Sequence, residues 1–172
     1  MSLGRIILLL TAVAGCRHAP NVTQATPPSA LVGLVIAKSG FRDVSILDTS
    51  ETLPTRDLRW IAASPWAHSA RAQVEGALRD LRTHAAQRLR WDSSLVRGTA
   101  GSLASARPSQ AELRVRTFFT ISPLGFSADS TVAAVYWTYN CGLLCAGGVL
   151  SLYRREPGHS WEHWHSDYLW QS

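Results

Sequence analysis

Two histidines one residue apart, His163-Trp164-His165, come nearest to a chemical constellation in this 172-residue chain. On a strand, side chains at i and i+2 share a face, so both imidazoles can grip one divalent metal ion. His159 and Asp167 lie close enough in sequence to offer further ligands. The plainer reading is an edge strand whose histidines face solvent beside core aromatics. Metal centres draw ligands from several elements and support them with further hydrogen bonds, and no second element nominates itself here. No cofactor is expected, and His163 and His165 are the candidate ligands should a metal bind.

Other chemistry has less to build on. There is no G-x-S-x-G elbow and no Ser-x-x-Lys, so no nucleophile and no catalytic residue can be nominated. Phosphate-cradling glycine loops are absent, and the carboxylates are too scattered to suggest a glycosidase pair. Seven tryptophans can form a stacking platform for glycans, although in a small domain they more often fill the core.

The chain has three cysteines. Cys141 and Cys145 can pair if the chain turns sharply, which Gly142 permits. Closing so small a loop contributes about 2 kcal/mol in the chain-entropy model. The spacing is C-x₃-C rather than C-x-x-C, and no βαβ pattern surrounds it, which argues against a thiol oxidoreductase. Two cysteines alone do not complete a tetrahedral zinc site.

The third cysteine, Cys16, follows a short apolar run, residues 6–14, behind the positive charge of Arg5. A membrane-crossing helix takes roughly 20 residues, so the run reads as a cleavable signal over residues 1–15. Val13-Ala14-Gly15-Cys16 resembles the bacterial lipoprotein lipobox at every position. The resemblance implies lipidation of the Cys16 thiol, cleavage before it and acylation of the new amino terminus. Several acyl chains at about 0.8 kcal/mol per buried CH₂ make a stable membrane anchor, where one would be marginal. Arg17 stands where the family's sorting rule associates aspartate with inner-membrane retention. The expected location is therefore the outer membrane, facing the periplasm. An even pair of remaining cysteines suits that oxidising compartment.

Residues 16–29 read as the lipidated cysteine and a flexible tether with a reach of roughly 20 Å, and residues 30–172 as a single domain. The formal net charge is +5, nearly all of it arginine, with Lys38 the sole lysine. Acids are interspersed, so the charge reads as a solvated surface and not as a nucleic-acid module.

Within the domain, residues 30–37 are apolar but too short for periodicity to separate helix from strand. Residues 43–48 read as a strand. Ser64-Pro65 has the form of an N-cap and first turn, opening a helix with apolar positions Trp66, Ala70, Val74, Leu78, Leu81, Ala85 and Leu89. Its basic face would also suit anionic lipid, and Glu75→Arg79 is a favourable i,i+4 pair. Residues 98–109 read as a loop. Residues 113–122 alternate as a strand with Val115, Phe119 and Ile121 on one side. Residues 131–139 are apolar on both parities, as in a central strand. The cysteine turn, the strand 148–154, a turn at 156–159 and a last strand at 160–170 follow. The expected fold is α+β: an antiparallel meander of about four strands, with room for one more, and one long amphipathic helix on one face.

Ser122-Pro123-Leu124-Gly125-Phe126-Ser127, Asp129, Cys141-Gly142-Leu143-Leu144-Cys145, Gly147 and Trp161 together resemble an uncharacterised family of exported bacterial proteins. Its members carry a Gly-Phe-Asn turn and a Cys-Gly-x-Leu-Cys-Gly-x-Gly hairpin. The likeness covers about the last fifty residues, with Ser127 in place of Asn and Ala146 in place of Gly. It implies a fold and no activity. The functional expectation is a non-enzymatic, envelope-anchored lipoprotein that binds an envelope protein or small ligand. The alternatives are a metal-assisted enzyme acting from the His163/His165 strand, or a glycan-binding module using exposed tryptophan.

Overall fold

The computed structural model describes residues 28–54, 57–87, 89–104, 108–142 and 144–172. The signal segment 1–15, the lipidation candidate Cys16 and nearly all of the tether lie outside the described residues. The chain is α+β, as expected, but its sheet is mixed and has seven strands among the described residues. The strands are β1 (Val44–Leu47), β2 (Ser102–Ala104), β3 (Thr117–Ile121), β4 (Gly125–Phe126), β5 (Val132–Asn140), β6 (Ala146–Arg154) and β7 (Glu162–Gln171). Their order is β2-β1-β3-β5-β6-β7, with β4 added beside β5.

The expected meander is therefore corrected. From β3 through β5, β6 and β7 each neighbour is antiparallel, but β2 and β3 both flank β1 in parallel. Parallel neighbours need a crossover connection, and the chain between β1 and β2 supplies helices α2 (Arg59–Ala62) and α3 (Arg71–Ala85).

The single covering helix is corrected as well, because both faces of the sheet are covered. Residues 30–37, which the sequence alone does not resolve between helix and strand, lie within α1 (Pro28–Ser39), whose first turn takes in the end of the expected tether. Leu31, Val32, Val35 and Ile36 form its buried stripe, worth about 1.5–3 kcal/mol per side chain. Gly40, at φ +76°, ends the helix in the left-handed region. On this face α1 meets Phe119, Ile121, Val135, Trp137 and Tyr139. On the other, α2 and α3 meet Val132, Ala134, Tyr136, Leu150 and Leu152. Strand β5 thus buries both parities, as its sequence suggested.

Local differences have local causes. Pro65–Ala70 is a 3₁₀ segment leading into α3, and the Ser64 hydroxyl donates to the Trp60 carbonyl (3.0 Å) instead of capping. The helix stops at Ala85, leaving Leu89 exposed, and Glu75 pairs backwards with Arg71 at 2.9 Å. Strand β3 starts only at Thr117. Ser109 and Glu112 form a capping box that begins a short helix α4 (Gln110–Leu113), leaving Val115 exposed. Within the expected loop 98–109, Ser102–Ala104 is the strand β2.

Residues of the 122–129 segment and the cysteine turn serve the packing. A Cβ at Gly125 would fall on the backbone of Ala77 and Leu81, so β4 approaches α3 as only glycine allows. Ser122 exchanges hydrogen bonds with the Tyr136 backbone, at 2.8 Å through its own N–H and 3.0 Å through its hydroxyl. Asp129 accepts from the Ser127 and Thr131 hydroxyls (2.6 and 2.8 Å), bonds that pull its carboxyl down to about 2. Cys141 and Cys145 lie across the β5–β6 turn with Cα atoms 5.1 Å apart, a disulfide-compatible placement. The Cys141 amide donates to the Cys145 carbonyl at 2.8 Å.

Candidate functional site

The i,i+2 rule does not hold along β7. The β6–β7 register passes from Tyr153↔His163 to Leu152↔His165, so Trp164 is an extra residue in a bulge. Cross-strand partners share a face. Tyr153 belongs to the α1 core and Leu152 to the α3 core, which puts His163 and His165 on opposite sides of the sheet. His165 stacks on Trp66 with ring centroids 4.0 Å apart and bonds Asp167 at 2.9 Å. His159 sits in the preceding turn, 4.0 Å from Glu156. The four candidate ligands are therefore split among three places. Among the described residues, no group of three or more His, Cys, Asp or Glu is arranged to hold a metal.

His163 instead ends a polar chain inside the α1 face. The Trp137 indole N–H donates to Ser151 Oγ (3.0 Å), Ser151 Oγ lies 2.7 Å from Ser166 Oγ, and Ser166 Oγ lies 2.8 Å from His163 Nε2. Burial lowers the His163 pKa, with the charges of Lys38 and His165 adding to the effect. A neutral imidazole can accept from Ser166, and such a contact is the geometric beginning of a serine–base pair.

The more open arrangement lies on the α3 face. There α3 covers only the end of the sheet around Ala134 and Leu152, and a groove remains near the cysteine turn. One wall is the segment 51–54. It is pinned where Ser50 N–H donates to the Leu89 carbonyl (2.9 Å) and Glu51 N–H to the Ile121 carbonyl (3.2 Å). Tyr136, Thr138, Asn140, Ala146 and Trp170 line the other side.

Its polar groups are held by one another. Thr120 donates to Glu51 Oε2 (2.8 Å), so the Thr120–Thr138 contact must take its proton from Thr138. Trp170 Nε1 donates to the Tyr136 hydroxyl at 2.8 Å, which leaves the Tyr136 proton to donate elsewhere. Burial raises the Tyr136 pKa, so that proton stays on at neutral pH. Asn140 Oδ1 accepts from the Gly142 amide (3.2 Å), leaving its NH₂ group as a donor. Gly148 makes this possible, because a Cβ there would occupy the space of the Trp170 indole and the Tyr136 hydroxyl. The result is a fixed set of donors and acceptors beside an indole that is 42% exposed.

The three tryptophans of the C-terminal segment divide in the same way. Trp161 is buried, Trp164 packs edge-on against Trp66 at 5.3 Å, and Trp170 is exposed at the groove. Glu51, Thr120, Tyr136 and Thr138 were not nominated from sequence. Glu51 and Thr120 are 69 residues apart, and no local pattern marks such a pair.

The fold and groove define a small α+β domain with a sheet between helices and a polar cleft on one face. No family model matches the chain, and no curated protein or solved structure is similar to it.

Proposed function

We propose that this chain is an envelope lipoprotein, anchored through acylated Cys16 and facing the periplasm from the outer membrane. It belongs to the exported family that its last fifty residues resemble. Its domain binds a ligand in the Glu51–Trp170 groove and leaves it chemically unchanged. The observation that supports binding is the prearranged floor, whose donors and acceptors are oriented by partners rather than by solvent. Groups already in place lose little freedom when a ligand arrives.

The glycan reading has its own support in the same place. A sugar presents hydroxyls that both donate and accept, together with an apolar C–H face. The groove answers with Tyr136 and Asn140 as donors, Glu51 and Thr138 as acceptors, and the Trp170 ring as a stacking surface.

Titration of the full chain with soluble peptidoglycan fragments, followed by mass spectrometry of the recovered ligand, tests both statements. Saturable binding, an unaltered ligand mass and about tenfold weaker binding by Trp170→Ala, the loss of one aromatic contact, are expected. A changed ligand mass would favour an enzyme. Binding that ignores Trp170→Ala would remove the glycan reading from this groove.

A further inference from the structure

A second cleft, of about 350 Å³, lies between α2 and α3. Its floor is apolar, formed by Leu58, Ala62 and Leu78, and four arginines rim it: Arg59, Arg71, Arg79 and Arg82. Arg59 pairs with Asp57 at 2.7 Å, Arg71 with Glu75 at 2.9 Å, and Arg82 approaches Asp57 at 4.0 Å. These pairs are exposed and weak, so an incoming anion can exchange with them. No carboxylate pairs with Arg79 among the described residues. Two carboxylates do not neutralise four guanidinium groups, and the cleft keeps a positive charge.

Trp60 adds an independent signal. It follows Arg59 in α2 and is 43% exposed, one of few large apolar side chains left in solvent among the described residues. Guanidinium forks match phosphate oxygens, and an indole settles at the level of lipid headgroups. A free phosphate ion would use the arginines but give no role to Trp60 or to the apolar floor. We propose that this face docks on an anionic phospholipid surface, with a lipid phosphate in the arginine cleft and Trp60 in the headgroup layer. The surface is separate from the Glu51–Trp170 groove, and its argument does not depend on acylation of Cys16.

The test uses the full chain carrying Cys16→Ser, which takes no acyl chain, floated with phosphatidylcholine vesicles with and without phosphatidylglycerol. The protein should prefer the anionic vesicles. Arg71→Gln with Arg79→Gln should cut that preference by about fivefold per arginine, and Trp60→Ala should weaken it further. Arg114→Gln with Arg116→Gln removes the same charge outside the cleft and should change the preference far less. Equal losses in the two double variants would show that diffuse charge drives binding, and would overturn the proposal. So would the absence of any preference for anionic vesicles. Saturable binding of glycerol phosphate alone, without vesicle preference, would assign the cleft to a soluble phosphate instead.

Discussion

The two faces of the sheet are built from the same strands and do different work. On the α1 face, Phe119, Trp137, Tyr139 and Phe41 pack ring against ring, with centroids 5.0 to 5.9 Å apart. The polar chain runs there from buried Trp137 to half-buried His163, each member bonded to the next. On the α3 face, small residues let the helix come close at one end, and the other end is left uncovered as a polar groove. A closed face supplies stability, while a half-covered face can leave hydrogen-bonding groups for a ligand.

Substitutions that separate stability from binding would break this contrast if it is wrong. Phe119→Ala should cost about 3–5 kcal/mol in urea unfolding, because a fully buried ring leaves a cavity among rigid neighbours. Trp170→Ala should cost far less stability while weakening ligand binding, and a comparable loss of stability would mean the groove side is core too. Reducing the Cys141–Cys145 link, or replacing both residues by Ser, should lower stability by about 2 kcal/mol, read from the same unfolding midpoints. Because that turn adjoins the groove, ligand affinity should fall along with it.

The smallest effect concerns pH. Burial holds His163 below its ordinary 6.5. As pH falls through that value the unfolded chain takes up the proton first, so stability declines, and it levels off only when the folded state protonates as well. His163→Gln should remove this step, giving a flatter thermal midpoint between about pH 7 and about pH 5 than the parent. An unchanged profile would place the titration elsewhere.

Much of the architecture was legible in the sequence, and what escaped has definite reasons. Strands β5 and β6 show themselves through long apolar runs, and α3 through its three-to-four spacing. The capping box at Ser109 and Glu112 was also readable, and it would have moved the start of β3 past Val115. The parallel partners of β1 were not readable, since Ser45 meets Ser102 across 57 residues and β2 is only three residues long. The bulge at Trp164 was hidden as well. His-Trp-His looks the same whether the strand alternates or slips by one, and only the neighbouring strand decides. One extra residue is enough to separate the two imidazoles by the thickness of the sheet.

β7 also closes one border of the sheet, and its register is interrupted twice, near Val149 and near Tyr153. Interrupted borders are poor templates for strand addition by a neighbouring molecule. Copies of this protein crowded side by side would meet a twisted rim instead of a straight row of open amides and carbonyls. The irregularity that separates His163 from His165 thus also helps to keep each copy from pairing with the next.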